Sequence, residues 1–182
     1  VNSGNTSSGT TTKGFWFEWV TLPASATWNP GIPYVIKSSV AVPAGRTLTV
    51  TPGTVVKFQS GVINVSGSLT AQGTPANRIY FTSLEDDSVG GDTNATSTLP
   101  APGDYNGLVF NAGSSGNLFE TVLRYGGGLA GVVRQSNGTT TMSHVRVMNN
   151  ANGLKREEGS MTVSQSSIHN NTSFGLSSNS FA

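Results

Sequence analysis

Hydrophobic residues in this chain fall in short alternating runs rather than at helical spacing. From Ile32 onward, Tyr34-Val-Ile36, Val40-Ala-Val42, Thr47-Leu-Thr-Val50, Thr54-Val-Val-Lys-Phe58, Val62-Ile-Asn-Val65 and Ser68-Leu-Thr-Ala71 are β-rich. Pro43-Ala-Gly45, Pro52-Gly53, Ser60-Gly61, Ser66-Gly67 and Gln72-Gly73 punctuate them. The beat is about seven residues, which predicts about three short strands per turn of a coil of roughly 20 residues. Thr47–Val50 is expected to align with Ser68–Ala71 one turn later, and Lys57-Phe58 loosely with Tyr80-Phe81.

Between Gly138 and Leu176 the chain repeats itself. Gly138 recurs as Gly159, Met142 as Val163, Val147 as Ile168, and Asn149-Asn150 as Asn170-Asn171, a period of about 21 residues. Gly131, Gly153 and Gly175 keep the same beat with a slip of about one residue. Within the repeat, Met142-Ser-His-Val145-Arg-Val147 alternates in the manner of strands, which predicts stacked rungs of short parallel strands. Each side chain then sits over its counterpart one turn earlier, and the asparagine pairs are expected to form hydrogen-bonded ladders. The expected fold class is all-β: a single right-handed parallel β-helix (solenoid) with an N-terminal extended arm.

Three stretches depart from the pattern. Residues 1–13 are a Gly/Ser/Thr tract that buries too little surface to repay ordering, so a flexible polar arm is expected. Residues 14–31 carry a dense aromatic strand, Phe15, Trp16, Phe17, Trp19 and Val20, followed by Trp28. The first rung of a coil has unpaired backbone and an open apolar interior. The aromatic strand therefore either caps its own coil or docks on a neighbouring subunit by strand addition, with those five residues as the subunit contact. Within the coil of residues 32–182, residues 84–106 form a long insertion holding Asp86, Asp87, Asp92, Asn94 and Asp104 beside Gly90-Gly91. Oxygen-bearing residues on a Gly-containing loop suit Ca²⁺, which takes about six to eight hard oxygen ligands, although the spacing matches no EF-hand. The other reading is a solvated acidic loop tied by Asx-turns.

Composition narrows the function classes. Of 182 residues, 35% are hydrophobic and 10% charged, and the formal net charge is +1. No broad field attracts nucleic acid or anionic lipid, and no basic cluster interleaved with aromatics appears. No apolar run approaches the roughly 20 residues that span a bilayer. There are no cysteines, so neither disulfides nor thiolate metal sites are in use. Few charges and abundant Ser, Thr and Asn suggest a secreted or cell-surface protein. The chain starts at Val1 rather than Met, so an upstream segment is expected to have been removed or left out.

Catalytic groups are sparse. After residue 107 the carboxylates of the rungs are Glu120, Glu157 and Glu158, and neighbours such as Glu157 and Glu158 cannot face the same side of a strand. His144 and His169 are offset in the repeat and do not stack. No Ser-centred elbow, P-loop or zinc motif is present. Thr47/Thr49 and Thr139 to Thr141 hint at a threonine ladder of the kind that binds ice, but along the sequence the threonines do not recur turn after turn.

Val42-Pro-Ala-Gly-Arg-Thr-Leu-Thr-Val-Thr-Pro-Gly-Thr-Val-Val-Lys-Phe58, Gly67-Ser-Leu-Thr-Ala-Gln-Gly-Thr74, Arg78-Ile-Tyr-Phe-Thr-Ser83 and Asp86-Asp-Ser-Val-Gly-Gly-Asp-Thr-Asn94 resemble the right-handed parallel β-helix repeat proteins of bacterial surfaces and secretions, the pectin-lyase-like superfold. Gly103-Asp-Tyr-Asn-Gly107 and Arg124-Tyr-Gly-Gly127 fit the same group. The resemblance covers about residues 32–182 and implies the fold. It implies little about activity, since the superfold hosts lyases, hydrolases, adhesins and phage spikes. Its lyases use stacked carboxylates with Ca²⁺ and a basic residue, and its inverting hydrolases a trio of aspartates that this sequence does not assemble.

The function expected is that of a non-catalytic extracellular structural protein, a self-assembling subunit of a fibre or an adhesin module, in the form of a homo-oligomer or head-to-tail polymer. The alternative is a β-helix that binds or degrades extracellular polysaccharide, with Ca²⁺ held by the acidic loop.

Overall fold

The computed structural model describes residues 13–179. The chain winds through three strands per turn. The first turn holds β1 (Phe15–Phe17), β2 (Val20–Thr21) and β3 (Ala26–Trp28), and the second β4 (Tyr34–Ile36), β5 (Ser39–Val42) and β6 (Thr47–Val50). The third holds β7 (Val55–Phe58), β8 (Val62–Val65) and β9 (Ser68–Gln72), and the fourth β10 (Ile79–Ser83), β11 (Gly107–Phe110) and β12 (Ser115–Phe119). The fifth comprises β13 (Thr121–Arg124), β14 (Val133–Gln135) and β15 (Gly138–Ser143), and the sixth β16 (Arg146–Met148), β17 (Asn152–Arg156) and β18 (Gly159–Ser164). The last runs through β19 (Ser167–His169) and β20 (Phe174–Ser178). No helix occurs among the described residues.

Every third strand joins the same sheet. The first sheet runs β1-β4-β7-β10-β13-β16-β19, the second β2-β5-β8-β11-β14-β17-β20, and the third β3-β6-β9-β12-β15-β18. The pairings are parallel throughout, as in β1 with β4, β8 with β11 and β15 with β18. The result is a right-handed parallel β-solenoid of about seven turns, the hand that parallel crossovers favour.

The sequence repeat is the turn of the coil. Gly138 lies over Gly159, Met142 over Val163 and Val147 over Ile168. Thr47–Val50 pairs with Ser68–Ala71 as expected. Lys57-Phe58 does not pair with Tyr80-Phe81: Lys57 lies beside Thr82 and Phe58 beside Ser83, while Tyr80 lies beside Val55. The corner between β9 and β10 is longer than that between β6 and β7, and the extra residues displace the register.

The core is a column of apolar side chains from alternate positions, among them Ile36, Phe58, Phe81, Leu108, Leu118, Leu123, Val147 and Leu154, all fully buried. Alternation at period two sends the neighbours outward. Corners recur as regularly as strands. Glu120, His144 and Gln165 take positive φ between the third and first sheets, and Tyr125, Asn149 and Asn170 do so between the first and second. A non-glycine left-handed residue costs on the order of 1–2 kcal/mol, least for Asn. The two asparagines of each repeated pair therefore differ in role. Asn149 and Asn170 make the bend, while Asn150 and Asn171 form the ladder, Asn150 Nδ2 donating to Asn171 Oδ1 at 2.9 Å.

Candidate functional site

At the N-terminal end, β1 forms the first rung of its own coil, pairing Phe15, Trp16 and Phe17 with Tyr34, Val35 and Ile36. Phe15, Phe17 and Val20 are half-buried and pack on the core. Trp28 stacks on Tyr34 with ring centres 4.7 Å apart, and Phe17 lies 5.3 Å from Trp28. Trp16 and Trp19 point outward, 40% and 77% exposed. The five proposed contact residues thus split into three that cover the interior and two that face away from it. Glu18 and Lys37 close the rung with an exposed ion pair at 3.0 Å. Among the described residues the outer edge of β1 has no strand partner. Of the arm expected over residues 1–13, only Lys13 is described; its N–H donates to Thr93 O of the inserted loop at 3.1 Å.

Residues 84–106 leave the coil between β10 and β11 and pack against the first sheet. Asp86 is buried, with Thr82 Oγ1 and Ser88 Oγ as donors to its carboxylate. Arg124 completes the shell, its Nε 2.8 Å and its Nη2 2.6 Å from Asp86 Oδ2. Burial by itself would raise the Asp86 pKa, but the Ser88 and Thr82 hydroxyls and the Arg124 guanidinium together outweigh it and hold the carboxyl below its ordinary value. Arg124 also lies over the Tyr80 and Tyr125 rings, 5.5 Å from each centroid.

The other acidic-loop residues are engaged separately. Asp104 accepts from Ser83 Oγ at 2.6 Å and Ala101 N–H at 2.9 Å. Asp92 accepts from the Asn94 and Ala95 N–H groups, an Asx-turn of the kind the sequence allowed. Asp87 lies 3.8 Å from Lys57 Nζ, and that buried amine also donates to Gly91 O. Burial pushes the Lys57 amine down, against the pull of Asp87 and its acidic neighbours. Asn94 Oδ1 is buried without a donor among the described residues. Asp86, Asp87, Asp92, Asn94 and Asp104 therefore do not converge, and among the described residues no group of three or more His, Cys, Asp or Glu side chains is placed to hold a metal. Two basic residues at separate points in the chain, Lys57 and Arg124, hold the loop; sequence reasoning missed both because their partners lie one or more turns away.

Tyr105 was also missed. It leaves the insertion to enter the coil, stacks on Phe58 with ring centres 4.3 Å apart, and donates its hydroxyl to Phe81 O at 2.9 Å. A Cβ at Gly126 would lie 2.6 Å from the Tyr105 ring, so the glycine makes room for it.

Glu120 and Glu157 also pair internally. Glu120 meets Arg78, which donates through Nη1 to His144 O at 3.1 Å. Glu157 meets Arg134 at 2.9 Å and Lys155 at 3.4 Å, and these partners, Arg134 first, hold its carboxyl below the ordinary range. Lys155 and Arg156 belong to β17, and the turn begins at Glu157. His144 packs edge-on against Phe119, and His169 lies beside Met148.

Two surface features remain. A groove of about 270 Å³ on the second sheet is lined by Asn64, Asn111 and Arg134, with Leu129 as a projecting wall. At the C-terminal end Met161, Val163 and Ile168 are half-buried and Leu176 is 56% exposed. Arg156, Met161, Val163, Leu176 and Ser178 line a cavity of about 340 Å³ there. The chain matches no protein-family model, no curated protein and no solved structure.

Proposed function

We propose that this protein is a non-catalytic, extracellular structural module of the bacterial-surface β-helix type, and that it associates end to end with further copies of itself. The observation that carries this reading is the C-terminal end of the described coil. The inward side chains Met161 and Val163 of β18, Ile168 of β19 and Leu176 of β20 match the buried positions of earlier turns, yet among the described residues they remain partly open to solvent. Exposed apolar surface of this kind marks an interaction site. The occupant we assign is the first turn of another copy, whose half-buried Phe15, Phe17 and Val20 offer apolar side chains in the same strand geometry. Trp16 and Trp19, exposed beside that turn, extend the contact. Contact between unlike ends does not close on itself and propagates as a filament. The ion-paired state of Asp86, Glu120 and Glu157 supports a scaffolding use of the acidic residues.

Sedimentation against concentration, with negative-stain images, tests the assignment. Wild type is expected to form rods that lengthen with concentration, and Leu176→Arg or removal of residues 1–22 to leave single modules. Single modules at every concentration in wild type, or unchanged rods in Leu176→Arg, would overturn it.

A second reading rests on the groove of the second sheet, where asparagine amides and Arg134 flank Val62, Val109 and Leu129. That mixture suits a polysaccharide, with amides for hydroxyls and apolar side chains for the ring face. Titration with extracellular glycans, repeated with calcium and with chelator, reads both the binding and any use of Ca²⁺ by the acidic loop.

A further inference from the structure

The third sheet carries a pattern that the inserted loop hides in the sequence. Thr27, Thr49, Thr70, Asn117, Thr141 and Thr162 occupy one register position through six consecutive strands. Two residues earlier in each strand, Thr47, Ser68, Ser115, Thr139 and Ser160 form a second column. The motif is Thr/Ser-x-Thr, with Ser115-Gly-Asn117 as the one variant. The register holds without slip from one turn to the next, although β9 and β12 are separated by the whole insertion.

The face has two further properties. Its outward positions carry no Lys, Arg, Asp or Glu, in a chain with ten basic and nine acidic residues. Its hydroxyls are also largely free to face solvent. Ser68 Oγ and Ser115 Oγ meet at 2.8 Å along their column, whereas Thr27, Thr139, Thr141, Ser160 and Thr162 are exposed.

We propose that this face binds ice. Strands stack about 4.8 Å apart, and alternate residues along a parallel strand lie about 6.6 Å apart, so the hydroxyls form a rectangular net. Hexagonal ice presents water oxygens at repeats close to both. Each hydroxyl donates one hydrogen bond and has two acceptor lone pairs, so it supplies part of the bonding of a lattice water, which donates two and accepts two. Threonine is restricted at χ1 because it is branched at Cβ, so its hydroxyl and methyl are held in place before the lattice arrives. An uncharged face suits an uncharged lattice; a fixed charge would keep its own hydration shell between the two surfaces. The same neutral, hydroxyl-rich face offers little apolar area to another protein. This site lies on the flank of the coil and stands independently of end-to-end association.

The test grows polycrystalline ice slowly from a dilute solution of the full chain and compares the protein in the ice with that left in the liquid. Crystal shaping and thermal hysteresis are read on the same samples. Thr70→Tyr places a bulky ring in the middle of the net. Arg146→Tyr makes the same change on an exposed position of the first sheet, with circular dichroism and the Tm confirming that both variants fold. Wild type and Arg146→Tyr are expected to concentrate in the ice and facet the crystals, and Thr70→Tyr to fall to the level of a protein excluded by freezing. Exclusion of wild type from ice, or capture of Thr70→Tyr as efficiently as wild type, would overturn the proposal. Exclusion from ice combined with Thr70-dependent retention on an uncharged polysaccharide resin would overturn it in favour of a glycan.

Discussion

At Asp86 three donor side chains meet one buried carboxylate: Thr82 and Ser88 are close in sequence, while Arg124 reaches it from 38 residues away. Breaking a buried ion pair leaves the partner charge uncompensated, so Asp86→Asn is expected to cost about 3 kcal/mol in urea unfolding. The depressed pKa gives the sign of the pH dependence. Below the unfolded-state value the unfolded chain binds the proton first, so the stabilisation is present above the ordinary carboxylate range and lost as pH falls through the folded value. Wild-type stability should therefore drop more steeply than that of Asp86→Asn below about pH 4. Equal slopes would show that the Ser88 and Thr82 hydroxyls and Arg124 together do no more than offset the burial of the carboxylate. Asp86 stood out in the sequence as an acidic-loop residue. Its partner Arg124 did not, because nothing in the local pattern around Arg124 refers to the insertion.

Corners and ladders are the elements that fix how one turn sits on the next. Asn150 accepts from Gly126 N–H at 2.8 Å, donates to Leu123 O at 3.1 Å, and bonds Asn171 one turn on. The side chain is fully buried. Asn150→Ala would strand a buried carbonyl and a buried N–H, each costing about 1–3 kcal/mol, so a loss of about 3 kcal/mol is expected. Asn171→Ala, at the partly open last turn, should cost less than half of that by the same unfolding measurement. A similar loss for the two variants would mean that the ladder contributes equally at interior and end. The repeated asparagine pair made this ladder legible from sequence, since the chemistry of stacked amides depends only on the period. The division of labour within the pair, one residue bending and the other bonding, needed the backbone angles.

In a solenoid each turn contacts only its neighbours, so the stability of the whole molecule varies along its axis. The middle turns have covered cores on both sides, while Met161, Val163 and Ile168 of the last turns are half-buried. Amide hydrogen exchange followed by mass spectrometry is expected to show strongest protection in β7 to β14 and weakest in β18 to β20. If the ends associate as proposed, protection of β18 to β20 should rise with protein concentration and that of the middle should not. Uniform protection along the axis at low concentration would show that the open end is already sealed within one copy.

The sequence by itself determined the coil: its period, its parallel strands, the inward side chains and the asparagine ladder all follow from alternation and repetition, which are local properties of the chain. It also marked the insertion, because the beat stops there. Only the tertiary structure decided what the insertion does, placing Tyr105 in the core and Asp86 against Arg124 rather than gathering the acidic residues together. The threonine columns belong to the same class of fact. Their regularity is spatial, set by strand register across turns of unequal length, and a loop that leaves the coil erases it from the sequence without disturbing it in the fold.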